Sequence, residues 1–131
     1  MRVYCDSVIS IYYLEGTPPL KARATARLAS LWAAGDTVVI SDLVRLECRM
    51  QPISFGDAVA LAHYDALFAQ AGVERVPINT AVFDRATVLR ANFKLGDSLH
   101  LAAAIESGCD RFLTNDMRLS SFTDIPVEVL P

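Results

Sequence analysis

Four acidic residues stand beside segments that are predicted to form the core of the fold. Asp6 directly follows a first apolar run, and Asp116 follows another run that ends at Thr114. Asp97 opens an apolar helix, and Glu47 lies in the helix after a second strand. Carboxylates gathered at one place repel one another unless a cation joins them, and hard divalent cations prefer oxygen ligands. The four acids together predict a site for magnesium or manganese.

Three of these acids also have an ordinary structural explanation. Asp6, Asp97 and Asp116 lie near expected helix N-termini, where an aspartate accepts backbone N–H bonds and complements the helix dipole. Taken singly, each is expected to be a capping residue. The prediction of a metal site therefore depends on the set and not on any one member.

The surroundings of Glu47 favour a site more strongly. Its neighbours three and four positions away are Leu43, Val44 and Met50, whereas the polar residues of this helix lie on another face. A carboxylate on an apolar face needs a partner, because burying it unpaired costs several kcal/mol. No lysine or arginine shares that face. We therefore expect a cation shared with other acids to be the partner of Glu47.

The two histidines are placed outside the predicted metal shell. His63 lies on a long helix, far in sequence from the acids, and is expected at the surface or in packing. His100 follows Asp97 by one turn on the same helix face, where packing or hydrogen bonding is its expected role. Zinc would favour histidine or cysteine ligands. Magnesium, with manganese as the alternative, fits the acids better.

The elements that must position the acids are short β-rich runs alternating with helical patterns. This alternation predicts an α/β protein with a parallel sheet covered on both faces. The predicted strands are Arg2–Cys5, Thr37–Ile40, Val73–Ile78, Arg111–Thr114 and Val127–Leu130. The predicted helices are Ser7–Leu14, Leu20–Ala34, Asp42–Met50, Ser54–Ala71, Asn79–Leu95 and Asp97–Ser107, with a turn or short helix around Asp116–Ser120. Functional groups in such sheets collect at the carboxyl ends of the strands, where the acids are expected.

Two helices carry apolar stripes that predict their buried faces. In Ser54–Ala71 the stripe is Phe55, Val59, Ala62 and Ala66, and in Asn79–Leu95 it is Val82, Ala86, Leu89 and Phe93. The preceding helix is expected to stop before Pro52. Trp32, Tyr12, Tyr13 and Phe55 could serve an interface, but most of them are expected in the core.

The composition bounds the class of protein. The 131 residues, 53% of them hydrophobic, predict one compact domain. The net charge is −3, and no basic tail or block is present, which disfavours purely electrostatic binding of nucleic acid. Cys5, Cys48 and Cys109 are spaced as reduced core thiols of a cytoplasmic protein. Neither a signal peptide nor a membrane span is indicated.

Four segments resemble the motifs of PIN-domain nucleases. They are Tyr4–Ile9, Ser41–Glu47, Gly96–Ala102 and Phe112–Asp116, and their order and spacing agree with the family over essentially the whole chain. In length the chain is similar to VapC-type toxins of toxin–antitoxin pairs. Gly96 before Asp97, and the residues Met50–Pro52, depart from the family pattern.

The resemblance implies an α/β/α sandwich with a central, mainly parallel sheet of about five strands. It also implies a magnesium-dependent ribonuclease with Asp6, Glu47, Asp97 and Asp116 as its acidic quartet. Asp6 and Asp97 would bind metal directly, Asp116 directly or through water, and Glu47 would hold metal-bound water or orient the nucleophile. The number of ions, one or two, stays open.

The residues expected to support this quartet are Ser7 and Thr114, through their hydroxyls, with helix capping or turn formation as an equally weighted alternative for both. Asn115 could orient Asp116 or cap the next turn. The rim arginines Arg85, Arg90 and Arg118 could guide RNA but are expected to be ordinary surface residues. The resemblance further implies an RNA substrate, a cognate antitoxin protein and a homodimer.

Alternative functions differ in how well the sequence fits them. A receiver-like phosphoacceptor domain needs a lysine after a late strand, and neither Lys21 nor Lys94 is so placed. A haloacid-dehalogenase-type phosphatase needs Asp-x-Asp after the first strand, but Val8 occupies the position of the second aspartate. A catalytically silent PIN-like binding module stays open beside the ribonuclease.

Overall fold

A five-stranded, entirely parallel sheet forms the centre of the structure, a computed structural model that describes residues 1–131. The spatial order of its strands is β3-β2-β1-β4-β5. The predicted fold class is thereby confirmed. The strands are β1 (Arg2–Cys5), β2 (Thr37–Ser41), β3 (Val73–Val76), β4 (Arg111–Thr114) and β5 (Val127–Val129).

Six α-helices connect the strands in two layers. The connections from β1 to β2 and from β2 to β3 run in one direction along the sheet, and the connection from β3 to β4 runs back. Because parallel crossovers are right-handed, helices before and after this reversal cover opposite faces. The helices are α1 (Ser7–Glu15), α2 (Pro18–Ala33), α3 (Asp42–Ser54), α4 (Ala58–Ala69), α5 (Thr80–Leu89) and α6 (Leu95–Glu106), and a short 3₁₀-helix spans Met117–Ser121.

Distant parts of the chain meet beyond the carboxyl end of β1, the central strand of the sheet. This strand pairs with β2 on one side and β4 on the other, so the strand order reverses there. Tyr4 is in register with Val39 and Phe112, and the N–H of Asp6 donates to the carbonyl of Leu113 at 2.9 Å. Clefts of α/β proteins form at such reversals, beyond the carboxyl ends of the strands.

The core is continuous from the sheet into both helical layers. Tyr4 and Phe112 stack inside it, with ring centroids 5.2 Å apart and an interplanar angle of 12°. Cys5, Cys48 and Cys109 are all buried and free, as predicted, and burial raises the pKa of each thiol. None of the helices has the length and apolar character that crossing a membrane requires.

Helix α3 does not stop before Pro52, contrary to the prediction. It continues to Ser54, and Pro52 lies buried within its last turn. A proline removes only its own N–H bond and disturbs the turn before it, so helical bonds resume afterwards. The N–H of Phe55 indeed donates to the Gln51 carbonyl at 3.0 Å. Burial of the ring helps to offset the missing bond.

Helix α4 begins later than predicted and buries a different face. Gly56, with a φ of +65°, turns the chain, and Asp57 caps the helix by accepting from the N–H of Ala60. Phe55 and Val59, from the predicted stripe, are 76% and 67% exposed. The buried residues are Tyr64, Leu67 and Phe68. This helix is apolar nearly all round, so spacing alone could not select its inner face.

The predicted helix Asn79–Leu95 is interrupted. Helix α5 ends at Leu89, and Leu95 already begins α6. The predicted inner face is nevertheless correct, because Val82 and Ala86 are buried and Phe93 packs edge-on against Phe122. Asp97 consequently lies in the first turn of α6 and is not its N-cap residue. The N-cap residue is Lys94, whose side chain forms no capping hydrogen bond.

Candidate active site

Asp6 is held at the carboxyl end of β1 by hydrogen bonds to both of its carboxylate oxygens. It caps α1, with Oδ1 accepting from the N–H of Ser7 at 2.8 Å. Its Oδ2 accepts from the hydroxyl of Thr114 at 2.9 Å. The side chain is 16% exposed. Capping and membership of a site are therefore compatible roles for this aspartate.

Thr114 connects Asp6 with the segment after β4. It is completely buried, and its Oγ1 also accepts from the N–H of Asp116 at 3.2 Å. The hydroxyl therefore donates to one acid and accepts from the backbone of another.

Asp116 caps the 3₁₀-helix and carries a salt bridge. Its Oδ1 accepts from the N–H of Arg118 at 2.9 Å, and its Oδ2 lies 2.5 Å from the Arg118 guanidinium. These contacts with Arg118 lower the pKa of Asp116. Of the three rim arginines, Arg118 therefore lies in the site. Arg85 instead pairs with Glu106, and Arg90 contacts the Phe93 carbonyl.

The pKa of Asp97 is affected by the charges of the neighbouring acids. Burial raises the pKa of its carboxyl above the ordinary value, and the negative charges of Asp6 and Asp116 raise it further. Arg118 and His100 oppose this shift but do not cancel it. Three acids from separate segments thus share one electrostatic environment.

Glu47, on α3, joins the site through two hydrogen bonds to the same carboxylate oxygen. Its Oε1 accepts from the Ser7 hydroxyl at 2.7 Å and contacts Nε2 of His100 at 2.5 Å. Burial favours the neutral acid, but the bonds from His100 and Ser7 outweigh it and lower the pKa of Glu47. The Ser7 hydroxyl therefore connects the start of α1 with Glu47 on α3.

His100 belongs to this constellation through hydrogen bonds, the role expected of it, and its partner there is Glu47. It is buried, and its Nε2 lies 3.6 Å from Oδ1 of Asp6. The spacing of residues along α3 could not identify His100 as the partner of Glu47, because His100 lies on α6. The one available signal was its position, one turn after Asp97 on the same face. The other histidine, His63, is exposed.

Asn115 points elsewhere. Its side-chain amide donates to the hydroxyl of Tyr12 at 2.7 Å, and the 3₁₀-helix is capped by Asp116 instead. The contact ties the loop after β4 to α1. Asn115 thus lies beside the acids in sequence without a bond to any of them.

The donor chemistry of the site fits a hard divalent cation. Carboxylates dominate it, and the charges of Asp6 and Asp116 add to the effect of burial in raising the pKa of Asp97. The acids do not form a ready-made ligand cluster, since no three Asp, Glu, His or Cys side chains converge tightly enough to hold an ion. Arg118 and His100 currently engage Asp116 and Glu47. A cation would have to compete with Arg118 for Asp116.

Comparison with known proteins identifies the class of this fold and site. The sequence matches the PIN domain family over residues 3–125, so the chain belongs to that family. The resemblance to PIN domains seen in the four motifs is confirmed. No curated protein sequence matches the chain.

Solved structures with the same fold include components of toxin–antitoxin systems. A chain in the crystal structure of VapBC2 from Rickettsia felis, bound to a promoter DNA fragment, has a TM-score of 0.80 at 17% identity, with 100% of both chains covered. VapC20 of Mycobacterium tuberculosis, described as a Sarcin-Ricin loop cleaving toxin, has a TM-score of 0.72 at 14% identity, covering 95% of this chain and 98% of that one. A toxin–antitoxin complex from Klebsiella pneumoniae gives 0.71 at 20% identity and 98% coverage of both. These likenesses establish a common fold.

Proposed function

We propose that this PIN domain is a magnesium-dependent endoribonuclease and the toxin of a type II toxin–antitoxin pair. The observation that carries the proposal is the gathering of acids at the carboxyl edge of the sheet, where the Thr114 hydroxyl connects Asp6 with the backbone of Asp116, and the Glu47–His100 pair lies beside Asp6. A group of acids from separate segments at a strand-order reversal has the composition of a site for a divalent cation and a phosphate.

The residues have distinct roles in such a reaction. Asp6 and Asp97 would hold the metal, and Asp116 would join them directly or through water. When bound, Mg²⁺ supplies Lewis-acid stabilisation and lowers the pKa of a water molecule. Glu47 has Oε1 occupied by Ser7 and His100, and its other oxygen, Oε2, would orient the attacking water. Ser7 and Thr114 keep the carboxylates of Glu47 and Asp6 in place.

Arg118 would contribute to substrate binding. The net charge of −3 gives the protein no general attraction for RNA. Arg118 is 65% exposed and already lies at the acids. If a metal replaced the Arg118 guanidinium on Asp116, the guanidinium would be available to a phosphate of the RNA backbone. A guanidinium can contact a phosphate through two N–H groups.

A cognate antitoxin is the proposed protein partner. The chain exposes large apolar side chains along α3 and the start of α4, and apolar surface of this kind is typical of interaction sites. They are Leu46, Met50, Ile53, Phe55 and Val59. We assign this surface to the antitoxin, because similar solved structures are toxin–antitoxin complexes. A homodimer is proposed as well, and light scattering on the purified protein tests it.

The proposed activity is tested by incubating purified protein with total cellular RNA and mapping the cut ends. We expect cleavage with Mg²⁺, none with excess EDTA, and none with a folded Asp97→Asn variant. Asp84→Asn, at an exposed position on α5, is the matched control and should cleave normally. RNA binding without cleavage under all conditions would instead identify a catalytically silent binding module. A folded, fully active Asp97→Asn variant would refute the assignment of the site.

A further inference from the structure

A continuous chain of hydrogen bonds runs from the sheet to the carboxylate of Glu47. The Tyr4 hydroxyl, buried at the end of β1, lies 2.7 Å from Oγ of Ser41 and 2.7 Å from Nδ1 of His100. The other ring nitrogen, Nε2, lies 2.5 Å from Oε1 of Glu47. The network thus connects β1 and β2 to α6 and then to α3.

The direction of each bond follows from its chemistry. Oε1 of Glu47 accepts from the Ser7 hydroxyl and also meets Nε2 of His100, and a glutamate carboxylate at neutral pH only accepts. Nε2 of His100 must then carry a proton and donate it. A neutral ring would have a bare Nδ1, which accepts from the Tyr4 hydroxyl while Ser41 donates to Tyr4. A doubly protonated ring would donate from Nδ1 to Tyr4, and Nε2 would still donate to Glu47.

The ring of His100 has little freedom to leave this position. His100 is 3% exposed, and Tyr4, which holds its Nδ1, is fully buried and stacked on Phe112. No buried side-chain nitrogen or oxygen in the protein lacks a hydrogen-bond partner. Rotating the ring would leave buried polar atoms unpaired, at a cost comparable to a lost hydrogen bond for each.

The consequence for Glu47 is that its two oxygens are no longer equivalent. Both donors, Ser7 and His100, bind Oε1, so Oε2 is the oxygen left for other contacts. The same Nε2 lies 3.6 Å from Asp6, which places this end of Glu47 beside the acid at the end of β1.

We propose that His100 is a positioning residue for Glu47: the Tyr4 hydroxyl fixes its ring, and its Nε2–H fixes which carboxylate oxygen of Glu47 faces the reaction. The direction of the bonds stands on the geometry alone. The effect on catalysis rests on the proposed ribonuclease function. Substituting a residue that holds a metal-site side chain in place typically lowers activity or metal affinity by about 10- to 100-fold.

The protonation of His100 is measured first, in metal-free protein, by long-range ¹H–¹⁵N correlation NMR of the two histidines. His63→Gln, at an exposed position, assigns the spectrum. We expect Nε2 of His100 to be protonated, and to stay protonated in Tyr4→Phe, because Glu47 still accepts from it while the ring loses the contact that fixes its orientation. A proton on Nδ1 alone, or a tautomer average in the unmodified protein, would overturn the proposal.

The effect on catalysis is measured with two substitutions at His100. His100→Leu fills the space without a donor and should lower kcat about 10- to 100-fold with little change in KM for RNA. His100→Gln retains an N–H donor and should recover much of the loss. In a Glu47→Gln background, His100→Leu should add no further loss.

These outcomes separate positioning from a purely structural role. Equal losses for His100→Leu and His100→Gln, or the same loss in the Glu47→Gln background, would contradict the proposal. If His100→Leu does not fold, Tyr4→Phe takes its place in the kinetics and should lower kcat in the same direction. An unmodified protein that cleaves no RNA would refute the proposed function, and the NMR result would still decide the bond direction.

Discussion

The hydroxyl of Thr114 donates a 2.9 Å hydrogen bond to Asp6, which lies 108 residues earlier in the chain. The parallel pairing of β1 with β4 makes this contact possible, because it aligns the carboxyl ends of the two strands. The same hydroxyl accepts from the N–H of Asp116, so one side chain supports two of the four acids.

Removing this hydroxyl should therefore cost both stability and activity. In Thr114→Val the shape is nearly kept, but Asp6 and the backbone of Asp116 each lose a buried partner. We expect a loss of about 1–3 kcal/mol in the free energy of unfolding, measured by urea denaturation, and a lower rate of RNA cleavage. Thr114→Ser keeps the hydroxyl and should approach the stability of the unmodified protein. Equal stability of the Val and Ser variants would show that the hydroxyl contributes little.

Asp97 should destabilise the metal-free protein. Its pKa is raised in the folded state, first by burial and then by Asp6 and Asp116. A carboxyl whose folded pKa is raised contributes most to stability below its unfolded pKa, about 3.9, and loses that contribution as the pH rises through the folded value. Asp97→Asn should therefore raise the melting temperature of metal-free protein near neutral pH. This advantage should shrink as the pH falls through the same range.

The control for this effect is Asp84→Asn, which removes one negative charge at an exposed position outside the site. It should leave both the melting temperature and its pH dependence nearly unchanged. A melting temperature of Asp97→Asn at or below that of the unmodified protein, at neutral pH, would contradict the electrostatic account of the site.

Magnesium should reverse the order of stability. A ligand that binds only the folded protein stabilises it by about 2.7 kcal/mol at a hundredfold excess over its Kd. The unmodified protein should show a Mg²⁺-dependent rise in melting temperature that EDTA abolishes. Asp6→Asn and Asp97→Asn should lose most of this rise. The idea of a metal site fails if Mg²⁺ and Mn²⁺ leave the melting temperature of the unmodified protein unchanged.

The sequence predicted the sheet well because its strands carry local signals. The β1 segment Arg2–Cys5 and the β4 segment Arg111–Thr114 have the predicted bounds, each closed by a polar residue or turn. Hydrophobic periodicity failed where it was ambiguous. Helix α4 is apolar on several faces, so only packing against the rest of the core selects Tyr64, Leu67 and Phe68 as the buried set.

The site was predicted in part for a similar reason. Asp6, Asp97 and Asp116 could be found because they follow strands or open helices, and Glu47 because of its apolar neighbours, all of which are local features. The partner of Glu47 could not, since His100 comes from another helix and only the three-dimensional fold brings them together. The helical spacing also overstated how buried the Glu47 face is, because Met50 is 59% exposed. Whether a metal joins the acids stays a prediction.

Arg118 should act on metal and RNA in opposite directions. It forms a salt bridge with Asp116 and lowers the pKa of that carboxyl, so a metal ion must displace it. The pair is exposed and screened, and such pairs are weak, so Arg118→Gln should tighten Mg²⁺ binding by about two- to fivefold in calorimetry at low salt. The same variant should raise KM for RNA, because a phosphate contact is lost. Arg85→Gln, whose guanidinium pairs with Glu106 away from the acids, is the control and should change neither quantity. Weaker Mg²⁺ binding in Arg118→Gln would show that the arginine supports the metal site instead of competing for it.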